Sequence, residues 1–189
     1  SDWCAAHVPD EGFWGHWPFC FEEMPLADEV VKKARETSNV AIVVIGRAAG
    51  EDREQKLKDG SFYLTREELN MLNKVCAYFE KVAVVLDTGN IIEFDDLELF
   101  GDKISAVVLA WQGGMESGNA LCDVLCGKVN PSGRLTDSIA RSYDFYPSAY
   151  CFGNKKFNEY QEDIFVGYRF FETFAKNEVL YPFGFGLSY

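Results

Sequence analysis

Basic charge is scarce in this chain. Its 189 residues carry 18 Lys and Arg against 30 Asp and Glu, a formal net charge of −12. That balance argues against nucleic acid or an anionic membrane as a partner, because both need a basic face. Histidine is scarcer still, with only His7 and His16. Both lie near the start, so a Ser-His-Asp triad finds no convincing place in the rest of the chain. No apolar run approaches the ~20 residues that a membrane helix needs. No Gly-x-Gly-x-x-Gly follows the first apolar run, and no Gly-x4-Gly-Lys-Ser/Thr occurs, so the familiar nucleotide cradles are missing.

What is present is a core. Hydrophobic residues make up 48% and aromatics 15%, the composition of a folded globular chain. The first residues, through Leu26, are irregular and rich in Trp, Phe and Pro, and are expected to lie as an extended arm over something apolar. Cys4, His7, His16 and Cys20 in this arm are zinc-ligand types. The segment between them is short and interrupted by Pro9, so no metal is expected, and no cofactor either. Cys76, Cys122 and Cys126 fall on the apolar faces of expected helices, where a free thiol behaves as a small hydrophobe. This favours a reducing, cytoplasmic setting over a disulfide framework. The chain opens Ser1-Asp2-Trp3, unlike a signal peptide, and stays apolar to Leu187-Ser188-Tyr189. We read it as a piece of a longer protein.

A helix is expected from Leu26 to Thr37, acidic at its start and basic at its end, as the helix dipole favours. The run 40–46 is continuously apolar and β-branched, the pattern of a strand buried on both faces. After a long polar loop, Thr65 and Glu68 form a capping box. Leu69, Leu72, Val75, Cys76 and Phe79 then recur at helical spacing. Lys81 to Leu86 is a second buried strand. Strand, helix, strand of this kind is a parallel βαβ unit. A helical turn at Asp95–Phe100, a third strand at Ile104–Trp111 and a helix at Gly113–Cys126 follow. An edge strand is expected at Arg134–Ile139 and a short element at Ile164–Phe171. The fold class is therefore α/β: a three-layer α/β sandwich with a mostly parallel central sheet and helices on both faces. Residues 1–39 form the arm and first helix, and 40–189 the sandwich domain.

Ligands of open parallel sheets bind beyond the carboxyl ends of the strands. The loop after the first strand, Arg47-Ala48-Ala49-Gly50-Glu51-Asp52-Arg53-Glu54, is long and charged, as functional loops are. Trp111, at the end of the third strand, is expected on the same edge. Trp111, Trp14 and Trp17 are candidates for stacking on a ring, or else for packing. Arg47 and Arg53 would orient a carboxylate or bind a hydroxyl, or else pair with Asp52, Glu54 or Asp59.

At this loop a family resemblance sets in. Val43-Val44-Ile45-Gly46-Arg47 leads into Gly50-Glu51-Asp52-Arg53 and then Gly60-Ser61-Phe62-Tyr63-Leu64-Thr65. Trp111-Gln112-Gly113-Gly114-Met115-Glu116 and Gly127-Lys128-Val129-Asn130-Pro131-Ser132-Gly133-Arg134-Leu135 come next. Glu162-Asp163-Ile164-Phe165-Val166-Gly167-Tyr168-Arg169 and Pro182-Phe183-Gly184-Phe185-Gly186-Leu187-Ser188-Tyr189 follow in the same order. The chain resembles the C-terminal α/β-sandwich domain of glycoside hydrolase family 3, the β-glucosidase and β-xylosidase family.

The resemblance implies a retaining glycosidase working on β-linked glucosides or xylosides, oligosaccharides or aryl glycosides. Its Asp nucleophile would lie on a separate (β/α)8 barrel domain absent from these residues. It implies Glu51 as the catalytic acid/base, with Arg47, Arg53 and Trp111 as substrate-binding candidates. Many members read Gly-Glu-Gly and two further residues before Asp-Arg, whereas here Asp52-Arg53 follows Glu51 directly. Asp52, Glu54 and Asp59 stay open as alternatives for the carboxylate. A non-catalytic, carbohydrate-binding or scaffolding sandwich stays open as the alternative for the whole domain.

Overall fold

A computed structural model of the chain describes residues 18–48 and 54–187. The chain forms two compact units, Ser1–Ser117 and Gly118–Tyr189. The first runs α1 (Asp28–Arg35), β1 (Val40–Arg47), α2 (Arg66–Tyr78), β2 (Lys81–Thr88), the short α3 (Asp95–Glu98), a 3-10 turn at Gly101–Lys103, and β3 (Ile104–Leu109). Helix α4 (Ser117–Leu125) starts at the boundary. The second unit continues with β4 (Ile139–Ala140), a 3-10 turn at Tyr143–Phe145, α5 (Tyr168–Phe174), another at Lys176–Glu178, and β5 (Val179–Tyr181).

Strands β1, β2 and β3 form a parallel sheet in that order, the outcome that the apolar runs flanking one amphipathic helix predict. Helix α2 starts where the sequence says it should. The Thr65 side chain accepts from Glu68 N–H, and the Glu68 side chain accepts from Thr65 N–H at 2.7 Å. Together they satisfy two of the orphan donors of the first turn. Its apolar stripe of Leu72, Val75 and Cys76 is buried, with Phe79 as its C-cap, and the helix packs on β1 and β2.

In a strand, alternate residues point to opposite faces. Val43, Ile45 and Arg47 of β1 pair in register with Val84, Leu86 and Thr88 of β2, and all six are buried. The other row of β1 corrects the sequence expectation. Val40, Ile42 and Val44 stand 49%, 52% and 52% exposed, so β1 is buried on one face only. The reason is position. β1 is at the edge of this sheet, whereas central β2 buries neighbours of both rows, Val84, Val85 and Leu86 among them.

Helix α4 ends as expected at Gly127, which has φ of +72°. Lys128 N–H bonds to Asp123 O at 2.9 Å and Gly127 N–H to Val124 O at 3.0 Å, the paired bonds of a Schellman cap. Two sequence expectations shift here. Cys122 and Cys126 are exposed, while Cys76 is buried as expected. The expected strand 134–139 shrinks to Ile139–Ala140, antiparallel to β5. Leu135 nevertheless exchanges backbone bonds with the C-terminal stretch, donating to Phe185 O at 2.9 Å and accepting from Gly184 N–H at 2.7 Å. The pairing is present but interrupted, so no continuous ladder forms. Only glycine fits at Gly186, where a Cβ would stand 2.7 Å from Gly133 O. Around Ile139 and Phe171 this unit has its own small core, with Tyr146 edge-on to Phe171 at 5.4 Å.

These packing differences set a stability contrast. Leu72→Ala removes a fully buried side chain and should cost about 2–5 kcal/mol. Ile42→Thr, on the open row, should cost less than about 1 kcal/mol. Urea unfolding midpoints of the two variants against the parent chain check this.

Candidate active-site edge

Because the three strands are parallel, their carboxyl ends share one edge of the sheet, with Arg47 paired to Thr88. The loop after β1 leaves from here and returns to α2 across residues 48–64. Glu51, Asp52 and Arg53 lie outside the described residues. So do Cys4, His7, His16, Trp14 and Trp17.

Trp111 stands just past β3 and is half-buried. Its φ is +55°, a left-handed conformation uncommon for a bulky side chain and costing on the order of 1–3 kcal/mol. Such strain collects at functional sites. The next residue, Gln112, donates from its side-chain amide to the Arg47 carbonyl at 3.3 Å. The end of β3 is thereby tied to the residue from which the β1 loop departs.

Arg47 lies on the face of β1 that meets α2, and its side chain is only 4% exposed. A guanidinium has five N–H donors, and here five oxygens receive them. Nε donates to Ser61 O at 3.2 Å. Nη1 donates to Gly46 O at 2.8 Å and Glu68 Oε1 at 2.5 Å. Nη2 donates to Tyr63 O at 3.3 Å and Glu68 Oε2 at 2.8 Å. Burial alone would disfavour the charged form, but the hydrogen bonds and charge of Glu68 outweigh it and raise the Arg47 pKa.

The structure gives Arg47 a partner that the sequence reading did not name. Among the described residues its ion-pair partner is Glu68, while Glu54 and Asp59 are exposed. Its five donors are met by protein oxygens, two of them on the returning limb of the loop. Glu68 went unnoticed because it already had a role, as the helix cap. The alternation Val43, Ile45, Arg47 was the available signal. A charge in register with two core residues needs a buried partner.

The returning limb is compact. Lys56 N–H bonds to Ser61 Oγ at 2.9 Å, the Gln55 amide to Ile91 O at 2.8 Å, and Glu93 N–H to Phe62 O at 2.9 Å. Gly60 has φ of +74°, and a Cβ there would stand 3.1 Å from Cys20 Cβ, so Cys20 closes over it. Nearby, Glu93 and Asp96 have raised pKa values, first through burial and then through the neighbouring acids. At the base of the loop, Phe19 O accepts from Ala48 N–H at 2.7 Å. Cys20 Sγ sits 3.5 Å from Arg47 Nη1 and 3.7 Å from Glu68 Oε1. Burial first, and then the Glu68 charge, push its thiol up to about 11. Among the described residues no three His, Cys, Asp or Glu side chains cluster to hold a metal ion, and no helix is long and apolar enough to cross a membrane.

The model of the glycosyl hydrolase family 3 C-terminal domain matches residues 24–189. A β-glucosidase of Ruminococcus albus is 48% identical over 190 residues, covering 100% of this chain and 20% of that protein. The crystal structure of a β-glucosidase from Paenibacillus barengoltzii superposes with a TM-score of 0.93 at 45% identity, over 100% of this chain and 21% of that one. β-Glucosidase 3B from Thermotoga neapolitana, in complex with glucose, superposes with a TM-score of 0.78 at 36% identity, over 89% of this chain and 25% of that one. The chain thus spans a fifth to a quarter of the length of these relatives, and its fold is the α/β sandwich expected from the sequence.

Two outcomes follow from the buried pair. Removing one partner strands a charge, so Arg47→Met and Glu68→Leu should each cost about 3–5 kcal/mol, and the double variant clearly less than their sum. A double-mutant cycle in urea reads the coupling. The raised thiol of Cys20 adds stability that is complete below the ordinary thiol range near pH 9 and lost as pH climbs through about 11. Cys20 should therefore alkylate far more slowly at pH 9 than exposed Cys122 and Cys126, as mass-resolved iodoacetamide labelling will show.

Proposed function

The chain belongs to the glycosyl hydrolase family 3 C-terminal domain family, and we propose that it supplies the acid/base carboxylate, Glu51, of a retaining β-glucosidase-like enzyme. The observation that carries this reading is the anchored base of the β1 loop at the carboxyl edge of the sheet. Glu51 follows Arg47, the anchoring residue, by four positions. At ~3.5 Å per residue it lies within about 14 Å of that fixed point.

In this proposal the second carboxylate, an Asp nucleophile, comes from a (β/α)8 barrel elsewhere in a longer polypeptide. Retention needs the two carboxyls about 5–5.5 Å apart, so the sugar binds between the two domains. The nucleophile attacks the anomeric carbon while protonated Glu51 gives its proton to the departing oxygen. Glu51, now a carboxylate, then takes a proton from the water that cleaves the glycosyl-enzyme bond. A general acid must hold its proton until the leaving oxygen takes it, and burial under bound sugar with a like charge nearby favours that form. Arg53 and Trp111 are the proposed sugar contacts, Trp111 from its strained turn at the same edge. Substrates are neutral β-glucosides or β-xylosides, in keeping with an acidic chain. Because it holds one member of the pair, the isolated chain hydrolyses them negligibly.

In the longer polypeptide, Glu51→Ala should lower kcat/KM for a β-glucoside with a poor leaving group by roughly 10²–10⁴-fold. A dinitrophenyl glucoside, whose leaving group needs no proton, should lose little. Azide should restore turnover and yield the β-glycosyl azide. Equal losses on both substrates with no effect of azide would move the role to Asp52, Glu54 or Asp59, or point to a sandwich that takes no part in the chemistry.

A further inference from the structure

We infer that the buried Arg47–Glu68 pair is a positioning device for the acid/base step, holding the two limbs between which the acid/base loop is strung. This rests on the reading of Glu51 as the acid/base.

A loop of residues 48–64 joined only to its strand and helix would have considerable freedom at its base. Here one side chain joins both limbs at that base. Arg47 is the last residue of β1 and thus the root of the outgoing limb. Its guanidinium grips the returning limb at two carbonyls, Ser61 O and Tyr63 O. The same group is locked to α2 through both oxygens of Glu68, and Glu68 Oε2 also accepts from Thr65 N–H, the first residue past the loop. The root itself is fixed from a third side, because the Arg47 carbonyl accepts from Gln112. Strand end, loop return, helix start and the turn after β3 thus meet at one residue.

Both side chains are nearly inaccessible, at 4% and 3% exposure, so water does not compete for the contacts. A structural ion pair alone would not need this arrangement. Replacing such a pair by apolar side chains of similar size is often neutral or stabilising. A guanidinium that spans three segments gives something apolar groups do not, namely directional bonds that set the height of one limb against the other. Proton transfer rewards that, since a misplacement of about 1 Å in a reacting group costs on the order of 100-fold.

The test uses Arg47→Lys and Glu68→Gln in the longer polypeptide, with Glu51→Ala beside them and thermal melting to measure the folded fraction. Lysine keeps the charge but loses the fork, and glutamine keeps the shape but loses the charge. A displaced acid should lower kcat/KM for alkyl glucosides by on the order of 10–100-fold. Dinitrophenyl glucoside should change less than about 3-fold, and azide should give partial rescue. A merely structural role would lower all substrates by the same factor, without azide rescue, and would overturn the inference. If Arg47→Lys fails to fold, Glu68→Gln decides by the same comparison. Failure of the underlying reading looks different, because Glu51→Ala would then itself lack the leaving-group dependence.

Discussion

The architecture of the candidate site depends on one buried guanidinium–carboxylate pair. Taking Arg47 and Glu68 out of water costs several kcal/mol per ion, and attraction offsets this only when every remaining donor finds an acceptor. That condition is met, with five donors on five oxygens. It dictates much around it. The carbonyls of Ser61 and Tyr63 must turn inward, which makes the chain reverse at Gly60 with a positive φ. Glu68 must sit in the first turn of α2, where it also caps the helix. Cys20 closes the cluster as a thiol whose raised pKa keeps it uncharged beside a carboxylate. Each requirement is local, and together they seal the base of the loop.

Much of the fold was legible because it follows from periodicity. The runs at Val40–Ile45 and Val82–Leu86, with the 3.6-residue stripe of Leu72, Val75 and Cys76 between them, permit little but a parallel βαβ unit. The capping box fixed the start of α2 to the residue, and Gly127 fixed the end of α4. What periodicity does not encode is sheet position. The run through Val40, Ile42 and Val44 reads the same in a central strand as at an edge, so the open row of β1 could not be read from it. Interrupted pairing is equally silent, which is why the strand near Leu135 came out shorter than expected.

The candidate site was legible in part. Its edge follows from strand polarity, and Glu51, Arg53 and Trp111 come from loop position and family likeness. The left-handed turn at Trp111 and the bond from Gln112 to Arg47 are tertiary facts with no counterpart in local sequence. For Arg47 the sequence offered a support of a carboxylate, a sugar contact or a pairing within the loop, and it did not point to Glu68. Charge content suggested pairing within the loop, whereas register with Val43 and Ile45 placed it inside, where only Glu68 is available. The neighbours of Arg47, and not its residue type, show it joining the strand end to the returning limb and to α2.

The most direct test of this account is amide hydrogen exchange on the chain itself, comparing the parent with Glu68→Gln. If the pair holds the loop at its base, protection should fall at residues 54–64 by at least about 10-fold more than at Val84 and Leu86 of β2, a local opening distinct from global loss of stability. An equal change at loop and strand, or none at the loop, would contradict the claim that Arg47 and Glu68 fix this edge of the molecule.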